Sequence, residues 1–426
     1  MTRWILGLAL VLRLAYALHS GALFYPQTWE QEQIATNLIE RHEFLFVSRI
    51  GPYQSYAEPM YPFLAAAVYL LTGHSQMALV LVQILISTAT VWLVGRTAGT
   101  ATRSSNAGHV AALIAATHPG LIHYASVLHP LVLDVFFFTL CGALLVAYME
   151  SRNPRVALAA GAAIGLGTLT RPTVLLFVPL LFWVIASNAV SAKVAIRQML
   201  IVSAVACAFI APWTLRNAAI HHVFMLTRSG TGFVLWLGNN PHSTGSAMSD
   251  DGRSLLRLAP PELLQQVQSA DEVERDRIFA RSAWSYIRAD RMGAIRRVAQ
   301  RLGEFWWFSA RWGRLFSPAV RLVYRVWWAA ILSLVVLGGI ASVVMASPGR
   351  DEIWILIAAA LIVSIGQSLY YVEGRHRLAI EPLLLPAAAF GALVAGRRIS
   401  ASQNHRRGAR ERLSTSTENP GKSRAI

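Results

Sequence analysis

Four arginines stand at the ends of long apolar runs in this chain. Arg171 lies in TLTRP, Arg216 in PWTLRN, and Arg375 and Arg377 in EGRHRL. A guanidinium group presents several donors in one plane, which suits it to bind the oxygens of a phosphate. A single arginine in such a place would pair with a lipid headgroup or extend from a helix end. Four in equivalent places predict an anion-binding site.

Carboxylates occur in neighbouring parts of the chain. Glu30 lies on an amphipathic stretch after the first apolar run, and Glu58 precedes Pro59 in SYAEPMYP. A carboxylate beside a cation site can act as a general base on an acceptor hydroxyl. Two simpler interpretations stay open, because Glu30 could be a solvated residue like its neighbour Glu32, and Glu58 could form a salt bridge or mark a helix entry.

Three charged residues interrupt the apolar runs themselves. Asp134, Glu381 and Arg13 each fall inside a hydrophobic stretch. Charges in such stretches face the interior of a helix bundle and pair with other polar groups. We therefore expect the two carboxylates to be partners of cations or histidines.

The apolar runs are close to the length that crosses a bilayer. Of the 426 residues, 55% are hydrophobic and 14% are charged, whereas soluble domains carry roughly a quarter charged residues. We predict an all-α polytopic membrane protein with about ten transmembrane helices. The predicted spans are 4–23, 77–97, 107–122, 127–148, 156–170, 173–190, 197–213, 323–346, 352–371 and 378–396. The first run could instead be a signal peptide, but Arg13 interrupts it.

Loop charges predict the orientation of these spans, because Lys and Arg are retained on the cytoplasmic side. With the N-terminus inside, ten spans return the basic C-terminal segment to the inside. The four arginines of the predicted anion site then lie on the outer face. The short apolar segment 59–73 is interpreted as a re-entrant or interfacial helix, since a further span would invert every later loop.

The predicted transmembrane domain, 1–396, contains two outer loops, 24–76 and 214–320. Each loop contains one predicted amphipathic helix. The apolar positions of these helices are Ile34, Ala35, Leu38 and Ile39 in the first loop and Ile287, Ile295, Val298 and Leu302 in the second. The segment 397–426 is predicted to be a basic, disordered cytoplasmic tail.

Other classes of function are disfavoured. The net charge of +16 could suggest nucleic acid, but much of it lies in the tail and in short loops, and no aromatic–basic reading module is visible. The two cysteines lie inside apolar runs and form neither a metal site nor a disulfide framework. The histidines His118, His123 and His129 lack a convincing zinc-ligand spacing.

Six motifs carry a resemblance to a known family. They are TWEQEQIATNL, AEPMYPFLAA, GAAIGLGTLTRPTVLL, PWTLRN, LWLGNNPHSTG and RHRLAIEPLLL, in that order. This order resembles the GT-C superfamily of membrane glycosyltransferases, specifically bacterial family 39-like members related to protein O-mannosyltransferases and aminoarabinose transferases. The resemblance covers about residues 4–396. It is specific for the family and not for a substrate.

The resemblance implies an enzyme of the cytoplasmic (inner) membrane that acts on its outer face. A sugar on a polyprenyl phosphate would be transferred, with inversion, to a lipid, glycan or protein acceptor. Glu30 matches the family's acidic residue in the first loop. Many relatives have Asp in this loop and this chain has none there, so Glu58 is the alternative base. Arg171, Arg216 and Arg377 would bind the departing lipid phosphate.

The resemblance leaves several points open. Asn239 and Asn240, in LWLGNNP, are expected either to line the sugar pocket or to form a plain turn. A divalent cation is neither required nor excluded, and no other cofactor is expected. A transporter or flippase of an anionic lipid-linked sugar is the alternative function, although such proteins show paired halves and no internal repeat is visible. A non-catalytic partner in envelope-polymer assembly is the third interpretation.

Overall fold

The fold is a helix bundle with a small hairpin in its first loop. The computed structural model describes residues 3–249, 253–308 and 318–398. In chain order the helices are α1 (Arg3–His19), α2 (Glu30–Glu40), α3 (Met60–Thr72), α4 (Gln76–Ala101), α5 (Ser105–Ala116), α6 (Pro119–Tyr124), α7 (Leu131–Ser151), α8 (Pro154–Thr168), α9 (Phe177–Asn188), α10 (Ala192–His221), α11 (Thr231–Gly238), α12 (Pro261–Ser269), α13 (Glu272–Ala289), α14 (Arg291–Trp306), α15 (Pro318–Val344), α16 (Arg350–Ser368), α17 (Gly374–Leu378) and α18 (381–398). Strands β1 (Phe46–Ser48) and β2 (Gly51–Tyr53) pair antiparallel, and 3₁₀ helices cover Pro172–Leu176 and Leu255–Leu258. The prediction of a disordered tail falls, after residue 398, outside the described residues.

Five helices in the described part of the chain are long and apolar enough to cross a membrane. They are Gln76–Ala101, Leu131–Ser151, Ala192–His221, Leu322–Val344 and Arg350–Ser368. Each coincides with a predicted span. The remaining predicted spans correspond to shorter helices, namely α1, α5, α8, α9 and α18. The predicted class, an all-α polytopic membrane protein, is confirmed.

The predicted span 107–122 is wrong as a single helix. The chain leaves α5 before His118 and starts α6 at Pro119. Proline has no N–H to donate and disfavours helical backbone at the residue before it. The His118 Nδ1 atom accepts hydrogen bonds from the two backbone N–H groups that follow Pro119, so it caps the new helix.

Arg13 accounts for the end of α5. Its guanidinium group is fully buried and donates to the carbonyl of Ala116 at 3.2 Å and to Ser87 Oγ at 2.8 Å. A cation is favourable at a helix C-terminus, where carbonyl groups lack partners. The prediction that Arg13 faces the bundle interior is confirmed.

Close backbone contact holds part of the bundle together. The glycines of α8 face α10, and a Cβ atom added to Gly161 or Gly165 would lie 2.8 Å from a carbonyl oxygen of α10. Small residues at helix contacts allow this approach, on which helix packing in membranes depends.

Loops at one end of the bundle converge, and we call this the site-bearing end. Residues Thr28 and Leu128 form an isolated bridge between the first loop and the α6–α7 connection. The backbone N–H of Met60 donates to the carbonyl of Leu169 at 3.1 Å, so α3 meets the end of α8. All four predicted arginines lie at this end. Which side of the membrane it faces stays a prediction.

The opposite end is tied by a separate ion-pair cluster. Arg103, which follows α4, lies 3.1 Å from Glu150 of α7 and 2.8 Å from Glu352 of α16. These contacts join the end of α4, the end of α7 and the start of α16. The three meet at the end of the bundle away from the site, as expected for antiparallel helices.

The first loop follows the predicted amphipathic pattern. Ile34 and Ala35 of α2 are fully buried, and α2 packs on α3. Tyr61 of α3 donates to Gln83 of α4 at 2.8 Å, so α3 is fixed to the bundle. The short α3 agrees with the interpretation of 59–73 as something other than a span, while its position relative to a membrane stays a prediction.

The second loop differs from its prediction. Two helices, α13 and α14, meet at Asp290, so Ile287 and Ile295 do not share one helical face. Asp290 Oδ1 accepts from the N–H of Gly293 at 2.8 Å and caps α14, which is the role that aspartate favours. Ile295, Val298 and Leu302 share α14, and Ile295 is 62% exposed.

Candidate functional site

Arg171 is placed by the end of α8. Its backbone is extended, with φ −155° and ψ 119°, and Pro172 follows it, as the steric demand of proline requires. The Arg171 Nε atom donates to Asp134 Oδ2 at 2.6 Å. Asp134, in the first turn of α7, is fully buried, so the prediction that it pairs with a cation is confirmed. Its second oxygen, Oδ1, has no hydrogen-bond partner in the described residues.

Arg375 joins α17 to the first loop. Its Nη2 atom lies 2.7 Å from Glu373 Oε2, and its guanidinium carbon is 4.6 Å from the ring centroid of Trp29. Burial acts to lower the pKa of Arg375, but Glu373 and nearby tyrosines outweigh it and the pKa is raised. Burial, followed by the charges of Arg171 and Arg375, lowers the pKa of His376 well below its ordinary value. His376 is therefore neutral near pH 7.

Arg171 and Arg375 share one neighbourhood around Tyr371. Burial raises the pKa of Tyr371, Glu373 adds to the effect, and the charges of Arg375 and Arg171 act against it. The two arginines therefore lie close enough to influence one phenol. Each is neutralised in this structure by its own carboxylate.

Glu58 has a partner that the sequence prediction missed. Glu58 Oε2 lies 3.7 Å from Arg228 Nη1, whose guanidinium carbon is 5.6 Å from the ring centroid of Tyr56. Burial acts to lower the pKa of Arg228, and Glu58 followed by Tyr56 outweighs it, so the pKa is raised. Arg228 was missed because TRSGTG is not at the end of an apolar run. The positive φ of 86° at Gly230 marks a turn there, and a glycine two residues after an arginine was the available signal.

Glu30 is the first residue of α2 and is half-buried. Burial and then the negative charge of Glu30 raise the pKa of Tyr56, so the carboxylate and the phenol are close. Among the residues that the structure describes, none forms a hydrogen bond or ion pair with the Glu30 side chain. Glu30 therefore lies near Tyr56 directly, and Glu58 lies near it through Arg228, and of the two carboxylates only Glu58 is paired with an arginine.

Arg216 differs from the other three predicted arginines. Its Nη1 atom donates to the carbonyl of Gln54 at 2.7 Å, to Ser55 Oγ at 2.9 Å and to Asn217 Oδ1 at 3.0 Å. Its guanidinium carbon lies 4.5 Å from the ring centroid of Trp213. All these partners are neutral, and Arg216 makes no ion pair with a carboxylate in residues 3–249, 253–308 or 318–398.

An apolar groove of about 360 Å³ ends at Arg216. It runs between α3 and α10, and Phe63 and Phe209 in its wall are 47% and 40% exposed. The lining residues are Pro59, Met60, Phe63, Leu169, Phe209, Pro212, Trp213 and Arg216. A hydrocarbon surface closed by one cation matches an amphiphile with an anionic head.

Arg377 is separate from this group. It is fully buried, and its Nε atom donates to Glu381 Oε1 at 2.6 Å. Glu381 also contacts His118 Nε2 at 2.6 Å and Tyr324 at 2.9 Å. The prediction that Glu381 partners a cation and a histidine is confirmed. Because the guanidinium group is enclosed and neutralised, this geometry favours a structural role for Arg377 over phosphate binding.

Asn239 and Asn240 form a turn. Asn239 Nδ2 donates to the carbonyl of Leu235 at 3.0 Å, and Asn240 Nδ2 to that of Trp236 at 2.8 Å. Asn240 Oδ1 accepts from the N–H of His242 at 2.9 Å. Both side chains are buried and close the end of α11. These bonds favour the plain turn over the sugar-pocket hypothesis.

The described residues contain no group of three or more His, Cys, Asp or Glu side chains that could hold a metal ion. The requirement for a divalent cation stays open.

Comparisons with known proteins bear on the fold. Residues 55–215 match the family of dolichyl-phosphate-mannose-protein mannosyltransferases. The apo oligosaccharyltransferase of Archaeoglobus fulgidus superimposes with a TM-score of 0.55 and 12% identity, over 96% of this chain and 52% of that one. The chain has the fold of the GT-C membrane glycosyltransferases. The GT-C resemblance is therefore confirmed at the level of the fold.

Further structures extend this comparison. The oligosaccharyltransferase AglB of Archaeoglobus fulgidus, in complex with an inhibitory peptide and a dolichol-phosphate, gives a TM-score of 0.53 and 12% identity over 99% of this chain and 53% of that one. ArnT from Cupriavidus metallidurans bound to undecaprenyl phosphate gives a TM-score of 0.39 and 15% identity, over 92% of this chain and 79% of that one. This TM-score does not establish a shared fold. The chain spans about half the length of the archaeal enzymes. No curated protein sequence matches it.

Proposed function

We propose that the protein is a membrane glycosyltransferase that takes a sugar from a polyprenyl phosphate. The groove that ends at Arg216 carries this proposal. An isoprenoid chain is hydrocarbon, and about 360 Å³ of apolar groove lined by Met60, Phe63 and Phe209 can accommodate part of one. The phosphate would lie at the end of the groove, where Arg216 has neutral hydrogen-bond partners and makes no ion pair with a carboxylate of the described residues. The GT-C fold supports the same class of donor.

Arg216 would stabilise the leaving group. As the bond between the anomeric carbon and the phosphate oxygen breaks, negative charge grows on the lipid phosphate. A guanidinium group fixed in advance at that position lowers the barrier, since it needs no reorganisation as the charge develops. The hydrogen bonds from Nη1 to Gln54, Ser55 and Asn217 fix one edge of the group and leave the other nitrogens to bind the anion.

Glu30 would act as the general base. The acceptor hydroxyl gives its proton to the carboxylate while its oxygen bonds to the anomeric carbon, and the polyprenyl phosphate departs from the opposite face. One base is enough for this inverting displacement. Glu30 is assigned because its carboxylate is unpaired among the described residues, whereas Glu58 is held by Arg228. Glu58 remains the alternative base.

The other arginines have different roles in this proposal. Arg171 and Arg375 are neutralised by Asp134 and Glu373, so a phosphate would compete with those carboxylates for them. They would bind polar parts of the substrates near Tyr371. The reaction would take place on the outer face of the cytoplasmic membrane, and the acceptor would be a lipid, a glycan or a protein.

Transfer of label from a polyprenyl-phosphate sugar in membranes tests the base. Glu30→Gln removes the proton acceptor and keeps the shape, so we expect transfer to fall by about 10²–10⁴-fold. Glu40→Gln, at the exposed end of the same helix, is the matched control. Full activity in Glu30→Gln with a loss in Glu58→Gln would move the role to Glu58.

The same membranes separate the alternatives. Movement of the intact lipid across the bilayer without sugar transfer would support the transporter hypothesis. Neither activity in the wild type, with binding of polyprenyl phosphate retained, would support the non-catalytic partner.

A further inference from the structure

Exposed apolar and cationic side chains alternate where α13 and α14 meet. Both helices lie in the second loop, with Asp290 between them. We call this set of solvent-facing side chains the elbow surface. It consists of Trp284, Arg288, Arg291, Met292, Ile295 and Arg296.

The apolar members of the elbow surface are unusually open for their type. Trp284 is 49% exposed, Met292 64% and Ile295 62%. Met292 and Ile295 are three residues apart and therefore lie on one side of α14. Apolar side chains on the outer side of a helix are a site of contact when cations flank them.

The cations of the elbow surface are not neutralised. Arg288, Arg291 and Arg296 are exposed and make no ion pair with the described residues. Their neighbour Arg297 behaves differently, since it lies 3.4 Å from Asp290 and 4.6 Å from the ring centroid of Tyr286. The chain therefore pairs one arginine of the elbow internally and leaves three for an external anion.

The C-terminal half of α14 fixes the elbow surface to the end of a span. Arg301 is 1% exposed and donates to the carbonyl of Ser368 at 2.8 Å. Trp306 Nε1 donates to Ser364 Oγ at 3.2 Å. Both serines lie in the last turns of α16, a membrane-spanning candidate. The headgroups of a bilayer lie at the same level as the end of such a span.

We propose that the elbow surface binds the anionic headgroups of the bilayer in which the chain is embedded. Met292, Ile295 and Trp284 enter the boundary between headgroups and acyl chains, and the three arginines bind lipid phosphates. This is the arrangement of an interfacial basic helix. It holds the second loop against the membrane independently of any sugar transfer.

An environment-sensitive dye tests the contact in nanodiscs that contain the full chain. Cys141→Ala and Cys207→Ala remove the native thiols, and Ile295→Cys receives the dye. We expect blue-shifted emission that brominated lipids quench, and more quenching with phosphatidylglycerol than with phosphatidylcholine alone. A dye at Gln266→Cys, on the exposed side of α12, should stay unquenched. An unquenched dye at position 295 in both lipids overturns the proposal, and a shift that appears only after addition of another protein does so too.

A charge variant gives a second test of the proposal. Tryptophan emission and gel filtration first establish that Arg291→Gln/Arg296→Gln is folded, as expected for exposed positions. The quenching of the dye at position 295 measures the ratio of docked to undocked elbow. In anionic nanodiscs this ratio should fall about fivefold for each arginine removed, and in neutral lipid it should not change. Arg277→Gln/Arg281→Gln is the matched control, because these two pair with Glu274. Equal behaviour of the two double variants contradicts the assignment.

Discussion

Arg216 and Arg377 occupy equivalent places in the sequence and opposite environments in the fold. Both stand where an apolar run meets the site-bearing end. Arg216 is half-buried, has three neutral acceptors and faces a groove. Arg377 is fully buried and directly paired with Glu381.

The difference shows that the partner of a cation determines its role. For a buried arginine, the attraction of a carboxylate at 2.6 Å offsets the desolvation penalty of the guanidinium group. If Arg377 bound a second anion, the Glu381 carboxylate beside it would repel that anion. Arg216 hydrogen-bonds only to neutral acceptors and feels the charge of Glu272 without an ion pair, so it remains able to bind an anionic ligand. Four further measurements can break or sharpen this contrast.

The largest effect is expected on the stability of Arg377→Ala. Removal of the cation leaves Glu381 buried beside His118 and Tyr324, and breaking a buried pair costs about 3–5 kcal/mol. The melting temperature in detergent should fall sharply. The guanidinium carbon also lies 4.4 Å from the ring centroid of Trp328, so packing adds to the loss.

A double variant distinguishes charge from packing at this position. Arg377→Met/Glu381→Leu removes both charges and keeps much of the volume, and it should recover most of the lost stability. If Arg377→Ala instead folds normally and loses only affinity for polyprenyl phosphate, the contrast with Arg216 fails.

The next effect is expected on the activity of Arg216→Ala. Loss of a group that stabilises a leaving anion lowers the rate by about 10²–10³-fold, while stability should change little because the partners of Arg216 are neutral. Arg216→Lys should restore part of the rate. Arg197→Ala, at the exposed opposite end of α10, is the matched control for label transfer. An unaffected rate would remove the groove from the proposed donor site.

A smaller effect is expected from Glu272, which fixes the surroundings of Arg216. Glu272 Oε2 accepts from the N–H of Gln54 at 2.5 Å, and Oε1 accepts from the N–H of Ser55 at 3.0 Å and from Ser229 at 2.6 Å. Glu272→Gln leaves one of these donors facing an amide N–H₂, at a cost of about 1–3 kcal/mol.

The kinetic consequence of Glu272→Gln separates positioning from folding. Because Gln54 and Ser55 hold Arg216, the KM for the lipid donor should rise more than kcat falls. Glu274, two residues away, forms a surface ion pair with Arg281. Glu274→Gln should therefore change neither KM nor kcat by more than about twofold. Equal losses in kcat and stability, with KM unchanged, would assign Glu272 a structural role alone.

The sequence predicted the fold class because hydrophobic run length is a strong signal in a membrane protein. The break before Pro119 was missed, since a glycine- and proline-containing run is compatible with a span and the capping by Arg13 comes from another helix. The amphipathic face of α2 was predicted, whereas Asp290 ended α13 at a position that helical spacing alone did not reveal.

The site was predictable in part for a different reason. Residue type and position identified which side chains could bind an anion or a proton. They could not identify partners distant in sequence, such as Asp134 for Arg171, Glu58 for Arg228 or Trp29 for Arg375. These long-range pairs decide which cation remains available.

The smallest effect concerns His376, which stands between the two arginines of α17. Burial and then Arg171 and Arg375 lower its pKa well below its ordinary value. The unfolded chain, with a histidine pKa of about 6.5, therefore takes up the proton first as the pH falls. The contribution of His376 to the free energy of unfolding is complete above about pH 6.5. It is lost as the pH falls below that value, by at most about 1.4 kcal/mol per pH unit.

A comparison of melting temperatures at about pH 7.5 and about pH 5.5 measures this effect. His376→Gln keeps an acceptor for the backbone N–H of Glu373, which donates to His376 Nδ1 at 3.2 Å, and removes the titration. The variant should therefore lose less stability on acidification than the wild type, whereas His242→Gln, at an exposed position, should behave like the wild type. A greater acid sensitivity in His376→Gln would mean that His376 becomes protonated in the folded chain. The charges of Arg171 and Arg375 would then not be strong enough to lower the pKa of His376.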